Sequence, residues 1–404
     1  MIRVLRIINR LNIGGPTYNA AYLSKYQFPE FKTLLIGGRH NSDEESSEYV
    51  LKELGIKPII IQSMQREIGF RNDIVSYNII KEVIKRFKPH IVHTHAAKAG
   101  SLGRYAAIHC DVPVIIHTFH GHVFHSYFSD SKTLVYKSIE KWLANRSTKI
   151  IAISEKQKEE LSSIHKICDE SKIEIVPLGF DLSKFRINTE EKRLAFRKKY
   201  KIQDNEIAIG IIGRIVPIKN HILFINSLKY LLDNTKVKIR AFVIGDGNDR
   251  VKLEERAKEL DIDFCTNCEI DEPKVLTFTS WIKDIDSAIH GLDIVAMTSL
   301  NEGTPVSLIE AQAANKPIVT TNVGGIEDVI IPYKTALLCN SFDSIEFGDN
   351  LASLVNNERL RDQMCHEGWD FVKEKFHYTR LVKDMSKIYY TELEKKGINV
   401  RKNR

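Results

Sequence analysis

The run Ser299–Thr320, S-L-N-E-G-T-P-V-S-L-I-E-A-Q-A-A-N-K-P-I-V-T, reads as a strand end, a polar loop, a helix and the start of another strand. The β-type segment D-I-V-A-M-T, Asp293 to Thr298, precedes it. The helix is expected to open at Pro305, where proline fits because the first helical N–H has no intrahelical partner. The turn formed by Gly303, Thr304, Pro305, Val306 and Ser307 would then aim unpaired N–H groups and the positive end of the helix dipole at one point, which favours an anion. Glu302 sits in the loop and Glu310 about a turn and a half into the helix, so two carboxylates could hold hydroxyls on either side of a diphosphate. A nucleotide-sugar has that shape: sugar, diphosphate, ribose, base. Capping and solvation are the plainer roles for two glutamates at a helix start.

Outward from this run, short β-branched segments alternate with longer amphipathic ones. Candidate strands fall at 3–8, 33–36, 58–61, 91–94, 114–118, 150–153 and 173–176, with helical patterns such as 72–87 and 99–109 between them. A second series follows at 207–212, 239–244, 275–278, 294–297 and 318–320. Alternation of this kind predicts parallel sheets covered on both faces, so the expected fold class is α/β with two doubly wound, Rossmann-like domains. Pro177 and Gly179 in V-P-L-G-F-D-L-S-K-F interrupt the pattern and separate a domain over 1–180 from one over 181–370, with helix and a basic tail over 371–404. A chain of 404 residues also exceeds what one core usually organises. Open doubly wound sheets bind ligands beyond the carboxyl ends of their strands, so the two domains are expected to face each other across a cleft.

Further motifs lie at such strand ends. I-I-G-R-I-V-P-I-K-N-H leaves a strand at Gly213 and enters a helix near Lys219, placing Arg214 and Lys219 where two cations could offset charge on a diphosphate leaving group. N-I-G-G-P-T-Y-N-A follows the first strand, and Gly14 and Gly15 permit a tight turn with close backbone approach. Histidines concentrate at His93, His95 and in H-T-F-H-G-H-V-F-H-S-Y-F, residues 117–128. Imidazoles suit a metal, but no Asp, Glu or Cys lies within that segment.

Taken together, these motifs resemble the retaining glycosyltransferases of family four, whose fold is called GT-B, over Asn12 to Ile330. The resemblance implies that Glu302 holds hydroxyls of the donor sugar and that Glu310 holds the nucleotide ribose. Arg214 and Lys219 would bind the diphosphate, the Gly14–Gly15 loop would face it, and His120 in the H-G pair would orient the sugar. S-W-I-K-D-I stands where the family has its base-binding loop, so Trp281 and Ile282 would bracket the base, although the family often has glycine at the Trp281 position. Terminal helices would pack back on the first domain, and no metal or other cofactor is expected. A same-face mechanism follows from the resemblance, with the leaving phosphate accepting the acceptor proton.

The segments H-T-H-A-A-K-A-G-S-L-G-R and H-T-F-H-G-H-V-F-H look like those of bacterial enzymes that build surface polysaccharide or O-antigen. That likeness implies a UDP-hexose or UDP-N-acetylhexosamine donor and a saccharide or lipid-linked saccharide acceptor. A UDP-sugar epimerase of the same architecture and a noncatalytic nucleotide-sugar-binding protein are the rival classes.

Composition narrows the setting. No apolar run reaches the ~18 residues of a membrane-spanning helix, and the start M-I-R-V-L-R-I-I-N-R reads as a strand and not a secretory signal, so a cytoplasmic protein is expected. Six scattered cysteines fit a reducing compartment, and C-T-N-C at 265–268 lacks a second pair for zinc. The net charge of +7 is spread out, and no nucleic-acid partner is expected. Lys132, Lys137, Lys141, Arg146 and Lys149 form the exception, interleaved with Leu134, Val135, Tyr136, Ile139, Trp142 and Leu143 at helical spacing. Such a basic amphipathic helix either packs its apolar side on the core or lies on an anionic membrane surface at the inner face of the cell membrane.

Overall fold

The computed structural model describes residues 1–12, 14–39, 47–65, 69–120, 130–266 and 272–398. They form two compact units, Met1–Phe180 with Lys375–Arg404, and Asp181–Glu374.

The first unit holds seven parallel strands: β1 (Ile2–Arg10), β2 (Phe31–Gly38), β3 (Ile59–Ile60), β4 (Ile91–His95), β5 (Val114–Thr118), β6 (Lys149–Ala152) and β7 (Ile173–Ile175). Their order in the sheet is β3-β2-β1-β4-β5-β6-β7. The chain therefore reverses its direction of growth between β1 and β4, and the crevice beyond their carboxyl ends is where such sheets take ligands. Helices on both faces bury the central strands β4 and β5 throughout, so these open on Ile and Val and show no alternation of buried and exposed positions. The helix Tyr378–Lys395 belongs to this unit because Leu381, Met385, Tyr389 and Leu393, one per turn, join Val4, Phe31, Ile91 and Val114 in a single core.

The second unit repeats the plan with β8 (Glu206–Ile212), β9 (Lys238–Ile244), β10 (Phe264–Cys265), β11 (Leu276–Ser280), β12 (Ile294–Met297), β13 (Ile318–Thr321) and β14 (Ala336–Cys339). Their order is β10-β11-β9-β8-β12-β13-β14, which puts the switch point between β8 and β12. The edge strands β10 and β14 escaped the sequence pattern because β10 has two residues, too few to establish a period, and β14, A-L-L-C, carries no β-branched residue.

Two further expectations need correction. Pro305 is not the first helical residue but the extended N-cap, φ −71° and ψ 108°, of the helix Val306–Ala313. The basic helix runs Asp130–Arg146, and Lys149 lies beyond it on β6, where it is paired with Glu174 at 2.9 Å. Among the described side chains of that helix, Glu140, Leu143 and Ala144 are buried, with Glu140 bonded to the buried Arg104 at 2.5 Å. Leu134, Val135, Ile139 and Trp142 consequently face solvent. The buried ion pair occupies the core-facing stripe that an amphipathic pattern assigns to apolar side chains. The side chain of Lys132 lies outside the described residues.

Candidate active site

In the second unit, the segments leaving β8 and β12 meet beyond the sheet's carboxyl edge. Leu300 N–H donates to Ile218 C=O at 2.8 Å, and Thr298 Oγ1 donates to Lys219 C=O at 3.1 Å. This join carries Lys219, at the end of the short 3-10 turn Pro217–Lys219, to Glu302, and the Lys219 ammonium is bonded to Glu302 Oε1. Ser299 Oγ donates to the same oxygen at 2.6 Å. The two charged groups thus hold one another, while the second carboxylate oxygen of Glu302 accepts no hydrogen bond among the described residues.

Arg214, by contrast, is exposed at the same edge, and its guanidinium has no hydrogen-bond or ion-pair partner among the described residues. Space lies open above Gly303, where an added Cβ would meet nothing within 4 Å. Thr304 and Val306 are partly exposed beside it, Pro305 is buried, and no side chain caps the helix that follows. Its first N–H groups can therefore serve an incoming anion.

Glu310, on the second turn of that helix, keeps partial solvent access. Burial raises its carboxyl to about 7, against a smaller lowering by Lys184. A carboxyl poised between its two forms is suited to accept hydroxyl donors that favour the charged one.

Two glycine elements hold these loops at contact distance. Gly245 adopts φ +138°, and a Cβ there would lie 2.0 Å from the Gly213 carbonyl oxygen, so V-I-G-D-G lets β9 close on the Arg214 loop. Gly324 adopts φ +58°, and its Cβ would lie 2.0 Å from the carbonyl oxygen of Glu302. The adjacent Gly325 N–H donates to that oxygen at 2.9 Å, buttressing the loop that presents Glu302. The Trp281–Ile282 loop is anchored by Asp246, whose carboxylate accepts from Arg250 and from Ser280 Oγ, each at 2.8 Å. Trp281 is exposed and Ile282 partly so.

In the first unit, Gly14 caps the helix Gly15–Tyr26, and Gly15 is small because a Cβ there would lie 2.9 Å from Leu178. This turn follows β1 at the switch point. His95 ends β4, and its Nδ1 lies 2.8 Å from Nε2 of His120, just beyond β5. His93 lies 3.0 Å from a guanidinium nitrogen of Arg6 and 2.6 Å from the Tyr389 hydroxyl. Burial holds His93, His95 and His117 well below the usual imidazole range and brings His120 to about 3, so all four are neutral at physiological pH. Gly121, His122, His125 and Cys268 lie outside the described residues. Among the described residues, no group of three or more His, Cys, Asp or Glu could hold a metal ion.

Residues 192–368 match the family described as glycosyl transferases group 1, and residues 36–184 match glycosyltransferase family 4. The chain is 30% identical over 309 residues to the Escherichia coli UDP-Gal:alpha-D-GlcNAc-diphosphoundecaprenol alpha-1,3-galactosyltransferase, covering 74% of this chain and 73% of the relative. That match decides the family. The chain belongs to glycosyltransferase family four.

This glycosyltransferase is also 27% identical over 335 residues to the capsular polysaccharide biosynthesis glycosyltransferase CapM of Staphylococcus aureus, covering 82% of this chain and 84% of CapM. Its fold resembles that of Anabaena Alr3699/HepE crystallised in complex with UDP, with a TM-score of 0.79 at 16% identity over 96% of this chain and 100% of the other. The fold is GT-B. Sequence reasoning gave no place to Ser299, Arg250 or Arg6. The spacing of Gly324 and Gly325 after Glu302 was visible as a motif; Arg6, a charge in mid-strand, was the one signal that could have drawn attention to the first sheet's interior.

Proposed function

We propose that this glycosyltransferase moves a sugar from a UDP-sugar, a hexose or N-acetylhexosamine donor, to a hydroxyl of a lipid-linked saccharide during surface-polysaccharide assembly, with retained anomeric configuration. The observation that carries it is the meeting of Lys219, Glu302, open Gly303 and the uncapped helix start at one switch point, with Glu310 a turn further on. The diphosphate lies on the Gly303–Val306 backbone with Lys219 and Arg214 as its cations, the ribose on Glu310, the base against Trp281 and Ile282, and the sugar hydroxyls on Glu302. Asp181–Glu374 is then the donor-binding unit, and the first unit, with Gly14, Gly15 and His120, serves the acceptor and the sugar.

As the glycosidic C–O bond breaks, negative charge grows on the UDP β-phosphate, where Lys219 and Arg214 stabilise it. The acceptor hydroxyl attacks the anomeric carbon from the same face and gives its proton to a phosphate oxygen. The named acceptor of the Escherichia coli relative supports the lipid-linked substrate. The relatives above are named transferases, and the epimerase alternative gains no support from them.

Incubation with UDP-, GDP- and ADP-sugars and undecaprenol-diphosphate saccharides, read by mass spectrometry, should show a product heavier by one sugar from a UDP donor. The yield should survive EDTA. New free sugar isomers without an acceptor would overturn the proposal, and loss with EDTA restored by a divalent ion would bring back a metal. Glu302→Ala should abolish transfer yet leave calorimetric binding of free UDP intact or tighter, because Lys219 loses its internal partner. Equal loss of UDP binding would make Glu302 a structural residue.

The acceptor also gives a role to the outer face of the helix Asp130–Arg146. Leu134 is 67% and Val135 60% exposed, and the Arg146 guanidinium lies 4.1 Å over the exposed Trp142 ring. Tyr105 stands 6.0 Å from Trp142 and 5.4 Å from Tyr77, so an aromatic row crosses three helices of the first unit. Apolar side chains mixed with Lys141 and Arg146 suit the headgroup region of an anionic bilayer. No described helix is long and apolar enough to cross a membrane. Binding to anionic liposomes should weaken with salt and be lost in Leu134→Glu/Trp142→Glu, while transfer to a soluble acceptor analogue persists. Wild-type protein that ignores such liposomes at low salt would exclude this docking.

A further inference from the structure

Arg6 stands in the middle of β1 with a fully buried guanidinium, bonded to His93, His95, Tyr389 and Gln27 and to no carboxylate among the described residues. A buried cation with only neutral partners is costly and calls for a reason. Guanidinium can only donate, and it cannot lose its proton in a protein. That one-way chemistry sets the direction of every bond connected to it.

Tyr389 O–H and His93 Nδ1 lie 2.6 Å apart, and His93 Nε2 and Thr118 Oγ1 lie 2.7 Å apart. With the tyrosine donating to Nδ1 and Nε2–H donating to the threonine, His93 is satisfied as a neutral ring. Arg6 Nη1 lies 3.0 Å from His93 Nδ1, 3.2 Å from the Tyr389 oxygen and 3.4 Å from His95 Nε2, and because it can only donate, each of these atoms must turn a lone pair and not a proton toward it. His95 Nε2 must accept, so its proton sits on Nδ1, which faces His120 Nε2 at 2.8 Å. His120 Nε2 must accept in turn. Its remaining proton sits on Nδ1, a buried atom with no acceptor among the described residues.

We propose that Arg6 and His95 are positioning residues that lock His120 in the tautomer protonated on Nδ1, so that it offers a hydrogen-bond donor to a saccharide oxygen at the carboxyl edge of the first sheet and cannot take a proton there. The saccharide as occupant rests on the transferase proposal above; the tautomer rests on the geometry alone. Burial first, with the neighbouring imidazoles and Arg6 adding to it, keeps His95 uncharged, so the chain of bonds does not reverse near neutral pH. Transfer with proton loss to the departing phosphate requires no base at this edge, and a fixed donor there orients an oxygen without competing for the acceptor proton.

Long-range 1H–15N spectra of the full chain labelled with 15N-histidine test this, His120 being assigned by the signal lost in His120→Asn. The wild type should show a pyrrole-type Nδ1 and a pyridine-type Nε2 at His120 between pH 6 and 8. A protonated Nε2 would overturn the relay. His95→Phe should leave the remaining histidine signals in place, shift His120 toward a tautomer mixture and lower kcat/KM by about tenfold, the worth of one hydrogen bond. An unchanged His120 tautomer in His95→Phe would also overturn the relay. UDP-galactose or UDP-N-acetylglucosamine, or the lipid-linked acceptor, should move the Nδ1 signal, and UDP alone should not. A correct tautomer that none of these saccharides perturbs would overturn the occupant and leave the donor-site proposal to its own test.

Discussion

Lys219→Ala lowers kcat by about a hundred- to a thousand-fold, the cost of removing one preorganised group that meets charge as it develops. The loss falls on kcat as well as on kcat/KM, because the β-phosphate gains charge only as the glycosidic bond breaks. Thermal unfolding should move little, since the ion pair that is lost lies at a partly open edge and such pairs contribute about 1 kcal/mol or less. Arg214→Ala should cost less than Lys219→Ala: the arginine is exposed and must be drawn in by the ligand, whereas Glu302 and the Ile218–Leu300 join already hold the lysine in place. Steady-state kinetics with a UDP-sugar, beside calorimetric melting of each variant, decide the matter. A Lys219→Ala protein that melts earlier but keeps its specific activity makes this loop scaffolding.

Glu310→Gln should weaken UDP binding by about ten- to a hundred-fold, the worth of hydrogen bonds to a charged acceptor, while stabilising the folded protein at high pH. The two effects share one cause. In the folded protein the carboxyl keeps its proton up to about 7, against 4.5 for an ordinary glutamate, because burial disfavours the charge. The folded state therefore binds more protons than the unfolded state between these values, and stability falls as pH rises through that window. The full cost above pH 7 is at most about 3 kcal/mol, and partial solvent access makes it smaller. Glutamine removes this cost, so Glu310→Gln should melt above wild type at pH 8 and together with it at pH 5. Ribose hydroxyls favour the carboxylate, so wild-type affinity for UDP should rise between pH 6 and 8 with proton release. The variant should lose that rise. Equal melting at pH 8, or unchanged affinity, would remove Glu310 from the nucleotide site.

The local chemistry of this site was legible along the chain. Glu302 and Glu310 stand in one run, Arg214 and Lys219 in another, and both runs end strands whose β-branched composition announces burial on two faces. What the runs do to each other was not legible. Lys219 and Glu302 are 83 positions apart, and only the strand order β9-β8-β12 makes their segments neighbours. The lysine expected at phosphate and the glutamate expected at sugar are bonded to each other in the fold. The outward turn of Leu134, Val135 and Trp142 was equally hidden, because a period shows that one side of a helix differs from the other and not which side a buried Arg104–Glu140 pair will claim.

By itself, then, the sequence determined what short-range physics controls: alternation of strand and helix, parallel sheets through apolar strands, and glycine-bearing turns that lead from strand ends into helix starts. Tertiary structure alone decided which charges meet and in what state. Arg6 meets His95 across 89 positions and Tyr389 across 383, and the proposed direction of the histidine chain rests on those contacts. Glu310 owes its raised pKa to the burial the fold imposes. Hydrogen-bond direction and desolvation depend on distance in space, and for these residues distance along the chain carries no trace of it.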